Sequence, residues 1–202
     1  MALLILASGS PRRRVLLGEL GVPFDVRPTD VDETPRPGED AAALVRRLAV
    51  DKAEAGLAAA TARPVVVLAA DTLVSVDGEV LGKPIDEADA HRMLRLLSGS
   101  RHQVLTGVAV AWSDGTAAGL DVEVETTHVH MRPWTDQQIA DYVASGEPMD
   151  KAGSYAIQEV GDRFVTEIEG SFDNVVGLPV ARTRRMLVEA GVDLPEGQPP
   201  EV

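Results

Sequence analysis

Ser8-Gly9-Ser10-Pro11-Arg12-Arg13 places two hydroxyls and two guanidinium groups where an apolar run gives way to a helix start. A helix N-terminus offers free N–H groups and the positive end of the dipole, and arginine forks match phosphate oxygens in pairs. No acid occurs between Met1 and Gly18, in a chain of net charge −13. A capped helix with solvated arginines is the plainer reading of the same residues. Asp71-Thr72 closes the unbroken apolar run Val65–Ala70. A carboxylate beyond the carboxyl end of a strand can hold a metal or take a proton from water, although turn aspartates share this pattern. An aspartyl phosphatase would need a second aspartate two positions on, where Leu73 stands. Gly82-Lys83-Pro84 is not a P-loop, because only three residues separate Gly78 from Gly82 and proline follows the lysine. Lys83 keeps its value as a point charge for phosphate. Glu33, in a polar loop, is a second carboxylate that could complete a Mg²⁺ site with Asp71. His128 and His130 lie two apart on one face of a strand, but no third ligand is visible, so they read as structural; His102 is uninformative alone. In Asp150–Gln158 the small residues permit close backbone approach, and the Gln158 amide donates and accepts at once, as reading a base edge requires.

Composition narrows the classes. The 202 residues suffice for one ordinary domain. The acidic balance argues against a nucleic-acid polymer as partner, and seven aromatic residues are too few for a base-stacking platform. Without cysteine, disulfides, thiol catalysis and iron–sulfur clusters are excluded, and a cytoplasmic location fits. No apolar run approaches the roughly 20 residues of a membrane span. The first arginines follow the short apolar start instead of preceding it, unlike a signal peptide. Of 19 basic residues only Lys52, Lys83 and Lys151 are lysine. A lysine kept in an arginine background suggests a use for its compact ammonium, with chance a fair competitor.

The elements that must carry these residues alternate. Ala2–Ala7 reads as a strand with Leu3–Leu6 buried, followed by a helix capped by Ser10 and stopped by Gly21. Phe24–Arg27 reads as a short strand, Thr29–Gly38 as a polar loop, and Asp40–Ala60 as a helix with Leu44, Leu48 and Ala55 on one stripe. Val65–Ala70 reads as a central strand ending at Asp71-Thr72, with a hairpin turn at Asp77-Gly78. A helix over Asp86–Leu97 and strands over His102–Trp112 and Asp121–Met131 follow, the strands joined across Ser113-Asp114-Gly115. Thr135 and Gln138 form a capping box for a helix ending at Gly146. Tyr155–Gln158 and Phe164–Glu169 read as strands, and a last helix follows Pro179. The sum is an α/β fold with a mixed sheet, a single domain over residues 1–193 and a flexible, acidic, proline-rich tail over 194–202.

Five stretches in order resemble the Maf family. They are Ser8–Arg13; Ala70-Asp71-Thr72-Leu73-Val74 with Leu81-Gly82-Lys83-Pro84; Leu97–Gly107; Asp150–Tyr155; and Val176-Gly177-Leu178-Pro179. Each alone is weak, but five at the family's spacing, from about residue 3 to residue 190, are specific. The resemblance implies a nucleoside triphosphate pyrophosphatase with a fold related to inosine triphosphate pyrophosphatase: a twisted mixed sheet and two lobes around a nucleotide cleft. It assigns the general base to Asp71, substrate choice to Arg12, Thr72 and Gln158, and phosphate and metal roles to Ser8, Ser10, Arg13, Glu33, Lys52 and Lys83. Tyr155-Ala156-Ile157-Gln158 is similar to the branch acting on dTTP and UTP, and a homodimer is implied.

These expectations make one chemical picture. A triphosphate carries about four negative charges, so an acidic protein needs a local basic pocket and a divalent cation (Mg²⁺, Mn²⁺ or Co²⁺) to hold it. Glu33 and Asp71 would hold the metal, Asp71 would take a proton as water attacks the α-phosphorus, and Arg12, Arg13, Lys52 and Lys83 would offset charge on the pyrophosphate. Two alternatives remain at this stage: a pyrophosphatase for 7-methyl-GTP or another modified nucleotide, and a nucleotide-binding regulator of cell division that does not turn over.

Overall fold

The computed structural model describes residues 2–195, apart from the side chains of residues 159–162. In chain order the elements are β1 (Leu3–Leu6), α1 (Pro11–Gly18), β2 (Asp25–Val26), α2 (Ala41–Ala59), β3 (Val65–Val76), β4 (Glu79–Leu81) and α3 (Glu87–Leu97). There follow β5 (Arg101–Ser113), β6 (Ala118–Met131), α4 (Asp136–Ala144) and 3-10 turns at Glu147–Asp150 and Ala152–Ser154. The chain continues through α5 (Ile157–Phe164), β7 (Val165–Glu169), α6 (Phe172–Val176) and α7 (Val180–Glu189). The fold is α/β, with a seven-stranded mixed sheet ordered β2-β1-β3-β5-β6-β7 and β4 paired to β3. Pairing is parallel from β2 through β1 to β3 and antiparallel elsewhere.

The local signals act where side chains meet their own backbone. Ser10, Asp40, Asp86 and Thr135 each accept an N–H at a helix start, and Thr135 with Gln138 completes the capping box. Asp77 and Gly78, both at positive φ, form the two-residue turn that pairs Val76 with Glu79. The two sheet faces are covered unequally. Alternate β3 residues Val65, Val67 and Ala69 pack with Ala49 and Ala53 of α2. The opposite residues Val66, Leu68 and Ala70 join the larger core built with α1, α3, α4 and α7.

Two expectations are corrected. The strand expected to end at Asp71 runs on to Val76, because antiparallel pairing with β5 continues from Val65 to Ser75. Tyr155–Gln158 is not a strand: Tyr155 is extended, but Ile157 opens α5. Ile157, Val160 and Phe164 recur at helical spacing, a period overlooked beside the aromatic start of the segment. The short helix α6 was not anticipated. Of the expected tail, Leu194 packs against the core, and residues from 196 on lie outside the described residues.

What fits α2 to the sheet is the absence of side chains beneath it. A Cβ on Gly107 would lie 2.2 Å from the Val45 carbonyl oxygen, and one on Gly56 would lie 2.8 Å from a Val67 methyl. Gly107 is the β5 partner of Asp71. The helix therefore comes down on the sheet at the level of that carboxylate. Gly107→Ala is expected to lift α2 and cost about 3 kcal/mol in a denaturant melt. Gly18→Ala, which meets nothing within 4 Å, should stay within about 0.5 kcal/mol of the wild type.

Candidate active site

The edge of β3 facing β1 has a break. β1 pairs it only as far as Leu68, and β4 takes up the same edge at Val74. From Ala69 to Leu73 that edge is open, and a cavity of about 780 Å³ occupies the break. Successive strand residues point to opposite faces, yet both Asp71 and Thr72 reach this cavity because no neighbouring strand stands between them. Ser8, Ser10, Arg12, Arg13, Glu33, Lys52, Lys83 and Gln158 line it as well, so the structure brings every residue to which the resemblance gives a role to one place, whereas His102, His128 and His130 are not among its lining residues. All three lysines of the chain are among the lining residues, Lys151 included. Arg12, Arg13, Lys52, Lys83 and Lys151 face Glu33, Asp71 and Asp150, a local surplus of two positive charges in a chain of net −13.

Asp71 is buried and bonded to Lys52, whose Nζ lies 2.7 Å from Asp71 Oδ1 and 2.6 Å from Glu33 Oε1. Lys52 follows Leu48 by one helical turn, on the stripe where Leu44 and Leu48 pack against Leu73 and Leu105. Glu33 is exposed, on a loop wound around Arg47 of α2. Arg47 donates to Glu39 and to the carbonyls of Asp32 and Thr34, and this fork holds the Glu39 carboxyl down at about 2. Nothing in the sequence marks Arg47 for this part, since its partners lie in an irregular loop.

Arg13 reaches across the break to the other face. Its Nε donates to Gly177 O at 2.9 Å, one terminal nitrogen to Ser8 Oγ at 3.1 Å and the other to Thr72 Oγ1 at 2.9 Å. Burial draws its pKa below the ordinary guanidinium value, with Asp71 acting in the opposite sense. Of five N–H groups, two have no protein acceptor among the described residues and remain for a ligand. Behind Thr72 runs a buried polar chain: Thr72 Oγ1 to Thr106 Oγ1 at 2.9 Å, Thr106 Oγ1 to Asn174 O at 3.2 Å, and Asn174 Nδ2 to Val104 O and Thr127 Oγ1. Arginine only donates and a carbonyl only accepts, so the shorter bonds run from Arg13 through Thr72 and Thr106 to Asn174. The single proton of Thr72 stays within the protein, so toward a ligand this hydroxyl is an acceptor. Thr106 and Asn174 escaped the sequence reading because their partners lie 34 to 70 positions away.

On the far wall, Arg12 meets Asp150 at 3.6 Å, and Lys151 Nζ bonds the same carboxylate at 2.9 Å. Gln158 stands exposed in the first turn of α5, not on a strand. Tyr155, also lining the cavity, has its hydroxyl 2.8 Å from His102 Nε2. Burial pushes His102 down to about 4 and Tyr155 up, so both are neutral at pH 7. Outside the cleft, His130 gains partners the sequence did not reveal: it groups with Glu167 and Glu169 of β7 closely enough to hold a metal ion. Arg101 also donates to Glu169 and to the His130 ring, which makes this a charge network on the sheet surface.

A cleft that gathers five cations and a helix N-terminus at a broken sheet edge has the chemistry to receive an anionic ligand. The chain belongs to the Maf family: the family model described as Maf-like protein matches residues 3–190. A protein of Anaeromyxobacter dehalogenans (strain 2CP-C) is 53% identical over 197 residues, covering 97% of this chain and 98% of its own. One from Chromobacterium violaceum is 50% identical over 195 residues, with 94% and 96% covered. One from Escherichia coli O6:K15:H31 is 52% identical over 187 residues, with 93% and 92% covered. Each of the three is named dTTP/UTP pyrophosphatase.

The polar chain behind Arg13 makes a measurable demand. Thr106→Val keeps the shape and removes the hydroxyl, so pyrophosphate binding measured by calorimetry should weaken about threefold to tenfold, with about 1–2 kcal/mol of stability lost. Thr106→Ser should restore the affinity. Wild-type affinity in the valine variant would show that the chain does not position Arg13.

Proposed function

We propose that this chain hydrolyses dTTP and UTP to the nucleoside monophosphate and pyrophosphate, by attack of water on the α-phosphorus. The observation that carries this reading is near full-length identity of about 50% to proteins named for that activity. The gathering of Asp71, Lys52 and the phosphate-binding candidates in one cavity supports it.

A divalent cation fits the donor set. Glu33 Oε1 and Asp71 Oδ1 already converge on one cationic nitrogen, and hard carboxylate oxygens suit Mg²⁺, Mn²⁺ or Co²⁺. When bound, such an ion offsets phosphate charge and makes its water easier to deprotonate. The chain's own groups do the rest. Asp71 Oδ2 has no hydrogen-bond partner among the described residues, and in this reading it takes the proton of the attacking water. The two spare N–H groups of Arg13, the Ser8 and Ser10 hydroxyls, Lys52 and Lys83 hold the phosphates. Arg12, Thr72 and Gln158 select the base: the Gln158 amide offers both a donor and an acceptor, and Thr72 offers an acceptor alone.

In the same reading the enzyme is a cytoplasmic homodimer, which light scattering of the purified chain checks. No helix among the described residues is long and apolar enough to cross a membrane.

Pyrophosphate release across dTTP, UTP, CTP, GTP and 7-methyl-GTP tests the function. Turnover is expected for dTTP and UTP, and Asp71→Asn should lose about two to four orders of magnitude while melting as a folded protein. Near wild-type turnover in that variant would exclude Asp71 as the base. Turnover of 7-methyl-GTP alone would keep the chemistry and overturn the substrate, and tight dTTP binding without release would favour a regulator.

A further inference from the structure

We infer that the Lys52 ammonium is the resident counter-ion of the metal ligands, so that a free divalent cation must expel it, and that the metal therefore enters with the triphosphate. This rests on the reading that Glu33 and Asp71 hold the metal. A single nitrogen lies 2.6 Å from Glu33 Oε1 and 2.7 Å from Asp71 Oδ1. One carboxylate stands on an exposed loop and the other on a buried strand, and among the described residues Lys52 is the one group bonded to both.

A divalent cation taking those oxygens at about 2.1 Å would stand within roughly 5 Å of that nitrogen. The Lys52 and Asp71 side chains are only 11% and 12% exposed, against 60% for Glu33, so on the Asp71 side water screens less of the resulting repulsion. The ammonium and the metal are thus alternatives on the same pair of oxygens. Lysine suits the exchange because its charge is a compact point on a flexible four-carbon stem. In an empty cleft the ammonium has no better anion to turn to. The phosphates of an incoming nucleotide provide one, and they add oxygens for the metal at the same moment. The arrangement keeps the two carboxylates together in the free protein and guards them against stray cations.

Titration of nucleotide-free protein with Mn²⁺, followed by electron paramagnetic resonance of the free ion, reads this directly. The wild type is expected to bind weakly. Lys52→Met, which keeps the stem and removes the charge, should bind Mn²⁺ about tenfold or more tightly than the wild type. Lys52→Arg, which keeps the charge, should stay within about threefold of the wild type. Adding Glu33→Gln to Lys52→Met should abolish the gain, which assigns it to this pair of oxygens. Should Lys52→Met fail to fold, Lys52→Gln takes its place. Equal affinity in the wild type and the uncharged variant, whether tight or weak, overturns the inference. Pyrophosphate release plays no part in this readout, so a failure here leaves the hydrolytic reading standing, and a failure of that reading leaves the titration interpretable.

Discussion

The cleft depends on one cation held between two carboxylates. For Lys52 to touch both Asp71 and Glu33, three separate conditions must hold. Helix α2 must lie against the sheet, which the bare Gly107 and Gly56 positions permit. Strand β1 must stop before Asp71, so that the carboxylate faces a cavity instead of a neighbouring strand. The loop bearing Glu33 must be wound tightly enough to return its carboxylate to α2, and the Arg47 fork does this from the same helix. Helix α2 therefore supplies both the cation and the post that delivers its second partner.

The distribution of charge follows from the same economy. On the outer surface several arginines are matched by acid: Arg182 and Arg185 with Glu123 and Glu125, Arg92 with Glu79 and Asp89, Arg101 with Glu169. Such exposed pairs contribute little to stability one by one. Their effect here is on the field, because each such pairing offsets a cation that would otherwise compete for an anionic ligand. A surplus of positive charge lies in the cleft, where the low exposure of Lys52 and Lys151 makes their charges act more strongly. An acidic protein can then capture a polyanion at one place and repel it elsewhere.

What the sequence revealed and what it hid divide along the range of the interactions involved. Helix caps at Ser10 and Thr135, and the turn at Asp77-Gly78, are made between residues at most three apart, and they were legible. The scarcity of lysine was a further signal, since all three reach the cleft. The extent of β3 was not legible, because its last residues are strand only through their pairing with β5 and β4. Arg47, Thr106 and Asn174 were hidden for the same reason: nothing nearby in sequence separates a loop-winding arginine from a solvated one, or a relaying threonine from a strand threonine. Helix α5 is a different case. Its period was present in the residues and was outweighed by the β-like look of Tyr155-Ala156-Ile157.

Arg13 and Lys52 show why the cleft uses two kinds of cation. The guanidinium of Arg13 is fixed by three hydrogen bonds to three different segments, and the Thr72–Thr106–Asn174 chain behind it fixes one of those acceptors in turn. It cannot follow a ligand, but it presents its two spare N–H groups in a set direction, so an anion must come to it in one orientation. Lys52 is held only by opposite charges, both of them carboxylates that a cation can claim. It can leave them when a stronger anion arrives, exchanging its bonds to the carboxylates for bonds to the newcomer with its three freely rotating donors. A preset receptor alone would bind phosphate without making room for a metal, and a movable one alone would not orient the chain of phosphates. The two together allow the carboxylates to be neutralised before the ligand arrives and released to the metal once it is in place.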